Sequence, residues 1–317
     1  MAVTESVVLL ESDRIRVEVD LGRGAEIAGI HDLGTGVDIL MTTPWASAAR
    51  EMRPVKLAAD PRASEAEWTA SYGGGWQTLV PHAGEPEEVD GVVRHYHGEG
   101  SAVAWELDGA TEDEVRGHLE LETVPLRIDR TVSLAGAAVT VTDVLTNVAN
   151  QPLAYDYQSH PAFGAPFLDA DCRIELDAER YLPDPRFDLG ELAPGVAVDW
   201  PRAASHGVAV DLAAVPAPDS GVFRFGWLED FATRSVRIAN PRLGLAATLE
   251  WDEDDRDRAW FWLDAGSRAS PPWDGRGYVL AIEPSTRATV RDRAAPRLAA
   301  GSTRTFTTRM TISTTHP

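Results

Sequence analysis

Glu283 closes an apolar run in VLAIEPST (Val279–Thr286) and is followed at once by Pro284. Proline interrupts a ladder of backbone hydrogen bonds, so this carboxylate should project from a strand end among apolar neighbours, where lost hydration raises a carboxyl pKa. Such a group suits a general base, although an exposed glutamate at a strand end is the plainer reading of the same residues. His160, in QSHPAFGAPF (Gln158–Phe167), is pinned against Pro161, which removes a donor and biases the histidine toward extended backbone. Its ring is either a satisfied core group or one aimed into a cleft. In HYHGEG (His95–Gly100) two histidines flank Tyr96, so on a strand His95 and His97 share one side. A zinc pair is the rival, but the only thiol, Cys172, is distant in sequence and no short histidine motif recurs. Carboxylate and imidazole together point to proton transfer without a metal. In GGGWQTLVPHAGEP (Gly73–Pro86), Trp76 and Gln77 follow three glycines, and a flexible turn there would present a flat ring and an amide. Such pairs suit a sugar, with its apolar faces and rim of hydroxyls, though core packing also explains the tryptophan.

The elements that would position these residues read as strands. Alternation with period two runs through Arg14–Leu21, Ala138–Val148, Leu245–Trp251, Arg258–Asp264 and Thr303–Ile312, rich in valine, threonine and aromatics. Turn residues separate them, and no long stretch keeps a helical period. An all-β fold follows, a large antiparallel β-sandwich. Thr43–Ser71 and Asp177–Pro218 break the rhythm as long excursions over a sheet, the kind of segment that often carries function. The acidic run Asp252–Asp257 lacks the glycine and final glutamate of a calcium loop and reads as a solvated hairpin turn.

Composition narrows the function classes. The chain has 317 residues, 44% hydrophobic and 25% charged, with a formal net charge of −21 and Lys56 as its one lysine. A surface so acidic repels nucleic acid. No apolar run is long enough to span a bilayer, and the first residues lack a basic stretch, apolar core and cleavage site, so a cytoplasmic protein is expected. Cys172 alone makes no intrachain disulfide. No glycine-rich phosphate cradle opens a strand-turn-helix unit, so no nucleotide cofactor is expected.

Taken in order, GAEIAGIHDLGTGVDIL (Gly24–Leu40), HGE (His97–Glu99), SHPAFG (Ser159–Gly164), RYLPDPRFDLGELAPGV (Arg180–Val196) and AIEPST (Ala281–Thr286) resemble the aldose 1-epimerase, or galactose mutarotase-like, family over nearly the whole chain. The resemblance implies one β-supersandwich domain across residues 1–317, an open sugar cleft, a glutamate base and two histidines, without metal or organic cofactor. His97, His160 and Glu283 match the family's catalytic positions. Trp76 and Gln77 stand where typical members carry an asparagine-arginine pair, and Asp230 in WLEDF is a loose counterpart of a family aspartate; these, with Glu99, are the expected sugar contacts. The implied reaction interconverts α and β anomers: one proton leaves the anomeric hydroxyl, another reaches the ring oxygen, and the opened aldehyde rotates and recloses. Each acid or base group contributes about 10² to 10⁴ in rate. Glu283 is read as the base, His160 as the acid, and His97 as a hydrogen-bond donor near the ring oxygen. A non-catalytic sugar-binding protein, and proton abstraction or elimination on a modified or phosphorylated sugar, are the alternatives. For a phosphate, Arg50 and Arg53 in REMRP offer a clamp, against the plainer reading of surface charge.

Overall fold

The structure is a computed structural model, which describes residues 3–4, 6–188, 191–205, 208–251, 256–287 and 294–315. The hairpin turn read for Asp252–Asp257 falls mainly on residues 252–255, outside the described residues.

The alternating stretches form strands that join one 17-stranded antiparallel sheet. From one side it runs through Glu106–Ala110, Glu114–Glu120, Leu126–Ala135, Ala138–Asn147, Thr303–Thr314 and Leu245–Trp251. The next strand, Phe223–Asn240, is the corner: Ser235–Asn240 pair with Leu245–Trp251, whereas Phe223–Leu228 pair with Arg258–Ala265. Beyond it lie Tyr278–Ser285, Gln158–Gly164, Trp76–Leu79 and Glu26–Asp32. The two halves fold over a shared core, in which Ile128, Val141, Phe306 and Leu249 pack in one cluster with Phe261, Leu280 and Ile282. This is the sandwich expected from the alternation.

Strands in the second half are buried on both faces. Arg258–Ala265, Tyr278–Ser285 and Gln158–Gly164 are covered almost throughout. Phe261, Leu263, Leu280, Ile282 and Phe163 face the core, so the alternate residues Trp260, Trp262, Glu283, His160 and Gln158 face the other way. What covers that outer face is the Thr43–Ser71 excursion, which forms helices Ala46–Glu51 and Ser64–Ser71. Trp68 and Tyr72, four residues apart, lie on one side of the second helix and its end. Charges buried beneath it hold it down. Arg23 contacts Glu26 at 2.6 Å and the Ser71 hydroxyl at 3.1 Å, while Arg53 reaches Asp20 at 3.0 Å, Glu26 at 2.8 Å and the Ser71 carbonyl at 3.0 Å. Arg50 is exposed, 4.0 Å from Glu18, as the plainer surface-charge reading of REMRP has it, whereas Arg53 is committed inside the fold, so the two do not form a phosphate clamp.

The glycines before Trp76 are not a flexible turn. Gly74 and Gly75 have φ of +97° and +85°, and a Cβ on Gly74 would meet the Met41 carbonyl oxygen at 2.0 Å, one on Gly75 the Ile27 oxygen at 2.5 Å. They are small because two backbones touch there. Gly74→Ala should cost about 2 to 4 kcal/mol in urea unfolding, whereas Gly91→Ala, at φ +79° with nothing within 4 Å, should cost about 1 kcal/mol. Equal losses at the two positions would contradict the close approach.

Candidate active site

Register brings the ionisable groups together. Gln158 pairs with Ser285 and Ala162 with Ala281, which sets His160 opposite Glu283, and Glu283 in turn pairs with Trp260. His160 Nε2 lies 3.4 Å from Glu283 Oε1. Gln158, two residues before His160 on the same face, donates its side-chain N–H to Glu283 Oε2 and so orients the carboxyl. Among the described residues the imidazole Nδ1 has no hydrogen-bond partner. Trp262 and Tyr72 flank the ring, with centroids 5.9 and 6.3 Å away.

The third group arrives from a turn and not, as the alternation of HYHGEG suggested, from a strand. The strand Val92–Arg94 ends first, and His97 and Gly98 take φ of +57° and +76°. Close packing demands Gly98, because a Cβ there would lie 2.3 Å from the Val80 oxygen. The turn parts the histidines. His95 points away and its Nε2 meets the Ala58 carbonyl at 2.9 Å, whereas the His97 ring comes within 6.1 Å of His160. Gly84 N–H donates to His97 Nδ1 at 3.0 Å, so in the neutral ring Nε2 carries the proton. The Ser101 hydroxyl fastens the turn, donating to the His97 carbonyl at 2.9 Å while accepting from Trp68 Nε1 at 2.9 Å.

These groups line a cavity of about 360 Å³ that also takes in Trp68, Tyr72, Trp260, Trp262 and Phe225. Burial among aromatics sets the electrostatics. It pushes the Glu283 carboxyl up to about 8, against a weaker opposing pull from Gln158, and the His160 imidazole down to about 4. His97 is held well below its usual value by burial first and by the neighbouring His160 second. Near neutrality the Glu283–His160 pair therefore shares a single proton, and His97 is a neutral donor.

The expected sugar contacts Trp76, Gln77, Glu99 and Asp230 do not line the cavity. Trp76 turns into the core and donates to the Ser159 hydroxyl at 2.8 Å, since alternation puts it on the face opposite Gln77. Gln77 lies across from His160 but is fully buried beneath the helix, where it bonds Glu26 at 3.0 Å and the Gly74 carbonyl. Glu99 accepts from the backbone of Glu122 at 2.5 Å and Thr123 at 3.0 Å and anchors the turn that carries His97. Asp230 is exposed, with φ +58°, and ion-paired with Arg180 at 2.7 Å. From the same strand it is Phe223 and Phe225 that reach the cavity. Trp260 and Trp262 were within reach of sequence reasoning, because RAWFWLD places both on one strand face. Trp68, Tyr72 and Arg268 carried no comparable signal.

Burial of Glu283 has a consequence for stability. Its value in the fold lies above that of the unfolded chain, so the native state holds the extra proton and stability falls as pH rises toward about 8. His160 acts oppositely, adding stability as pH climbs from about 4 to its ordinary value near 6.5. Above pH 6.5 the carboxyl dominates the pair, with a slope approaching about 1.4 kcal/mol per pH unit. Urea unfolding at pH 6.5 and pH 8 should therefore show wild type losing about 2 kcal/mol relative to Glu283→Gln. That comparison cancels His31, whose pairing with Glu18 raises its own value. Parallel behaviour of the two proteins would mean that Glu283 is ionised in the fold.

Among the described residues no group of three or more histidine, cysteine, aspartate or glutamate side chains could hold a metal ion. No helix of the described residues is long and apolar enough to cross a membrane.

No curated protein matches the chain. Solved structures do. A Synechocystis protein superposes with a TM-score of 0.68 at 17% identity, over 99% of each chain. A galactose mutarotase-like protein from Lactobacillus casei gives 0.65 at 13%, over 97% of this chain and 100% of that one. A galactose mutarotase related enzyme from Lactobacillus acidophilus gives 0.67 at 14%, over 98% of both. At these identities the likeness establishes the fold, which is galactose mutarotase-like, as the sequence motifs implied. One family model covers the chain from residue 5 to 312, and the protein accordingly belongs to the family described as Domain of unknown function (DUF4432).

Proposed function

We propose that the protein is an aldose 1-epimerase-like enzyme that interconverts the α and β anomers of an aldose or aldose derivative. The observation that carries this reading is the Glu283–His160 pair, 3.4 Å apart at the base of a cavity walled by aromatic rings. Ring opening takes one proton from the anomeric hydroxyl and gives one to the ring oxygen, so a site holding one shared proton between two groups needs nothing further. Burial leaves that proton on the Glu283 carboxyl at rest; passing it to His160 creates the carboxylate base and the imidazolium acid together. Closure on the other face returns it by the reverse route. His97 Nε2–H donates to the ring oxygen or its neighbour, and the indoles of Trp260 and Trp262 offer flat surfaces to the apolar face of a pyranose. A cavity of this size is at the small end of ligand sites and suits a single sugar ring. The structural relatives named for galactose mutarotase support the same reading.

Polarimetry on freshly dissolved anomers of a panel of reducing aldoses tests it, with methyl glycosides as controls whose rings cannot open. Accelerated relaxation of the free sugars alone is the expected result. Tight sugar binding without acceleration would instead favour a non-catalytic carbohydrate-binding protein. The same assay should be indifferent to EDTA and to added divalent ions, because proton transfer within the pair accounts for the chemistry. Loss of activity with EDTA, restored by one metal, would contradict this assignment.

A further inference from the structure

Arg268 stands at the neck between the reaction cavity and an outer hollow of about 510 Å³, and lines both. Its guanidinium lies over three aromatic rings, 5.2 Å from Trp273, 5.3 Å from Phe223 and 5.4 Å from Trp262. Three rings around the guanidinium restrict where the group can move. Its single ion pair runs through Nε to Asp264 at 3.4 Å, and its terminal nitrogens make no hydrogen bond within the described residues. The other arginine of the cavity, Arg186, differs: Asp184 holds it through Nε and a terminal nitrogen, and Glu85 lies 3.1 Å from the other. In a chain of net charge −21, a pre-oriented arginine with its fork open to a cavity is a directed feature. Trp262 neighbours both groups, its ring centroid 5.9 Å from that of His160 and 5.4 Å from the Arg268 guanidinium. The fork and the Glu283–His160 pair therefore line one cavity with Trp262 in contact with both ends. Glu65 lines the same neck, and it and Arg268 are both exposed, so water screens both charges.

We propose that Arg268 binds an oxyanion carried by the substrate, a phosphate or carboxylate remote from the anomeric carbon, so that the site prefers acidic sugars over neutral ones. This rests on the epimerase reading and deepens it. The planar fork matches two oxygens of either group.

The test measures anomer exchange by NMR for D-glucose, D-galactose and their 6-phosphates and 6-carboxylates, with wild type and Arg268→Gln, after confirming equal Tm. Wild type should favour at least one charged series by about tenfold or more in kcat/KM, carried mainly by KM, and the substitution should collapse that ratio toward one. Whichever series leads distinguishes a sugar phosphate from a sugar acid. Exchange of neutral and charged sugars at equal efficiency, or a ratio unchanged in Arg268→Gln, would overturn the proposal while leaving the epimerase reading intact. Should no sugar be turned over, calorimetric titration of the same compounds still reads the site. Tighter binding of a charged series that Arg268→Gln removes would support the oxyanion site and sink the epimerase reading; equal binding by both proteins would overturn both.

Discussion

Glu283→Gln should fold normally and lose about 10² to 10⁴ in anomer-exchange rate. The amide has the shape of the carboxyl and can keep the contacts to Gln158 and His160, so the cavity should persist. What it cannot do is exchange a proton. Since burial already disfavours the ionised carboxyl, the variant should be no less stable than wild type at neutral pH. Exchange measured by NMR, beside a thermal melt, separates the two effects. Near-native turnover in a folded Glu283→Gln protein would remove Glu283 from the mechanism.

The second large effect is expected at His160. His160→Asn leaves a hydrogen-bonding side chain beside Glu283 without a titrating ring, and should also cost about 10² or more in rate. The pH profile distinguishes a chemical role from a structural one. A pair that works with one shared proton fails when it gains a second, below about 4, and when it loses its only one, above about 8. Wild-type kcat/KM, corrected for spontaneous mutarotation, should therefore be a broad plateau between those limits. The residual activity of His160→Asn should lose the acid limb, and that of Glu283→Gln the alkaline one. A variant that is slower with both limbs unchanged would show that His160 merely props the pocket.

The sequence could disclose the ionisable centre because each part of it obeys a local rule. Pro161 and Pro284 mark strand positions, and period two assigns a face to His160, to Glu283 and to the indoles of RAWFWLD. The strand Leu245–Trp251 matches its alternating stretch end to end. Long-range features had no such rule. That Trp76 and Gln77 serve the core and the underside of a helix depends on the Thr43–Ser71 excursion folding down over the sheet, and that depends on the buried Arg23, Arg53, Glu26 and Asp20. In the sequence those charges look like surface residues. Likewise HYHGEG alternates as a strand would, but the positive φ of His97 and the contact of Gly98 with Val80 bend it into a turn, so one histidine enters the cavity and the other leaves it. Arg268 lies in a turn whose composition says only that the chain reverses there.

All the chemistry assigned to this site moves protons between oxygen, nitrogen and a sugar's own hydroxyl and ring oxygen, and none to or from carbon. Proton exchange spectroscopy in D2O on a turned-over reducing aldose tests this directly. Enzyme-dependent cross-peaks between the α and β anomeric protons, abolished in Glu283→Gln, are expected, with every carbon-bound proton signal undiminished. Loss of a carbon-bound proton to deuterium, or anomers that fail to exchange while the sugar is bound, would contradict it.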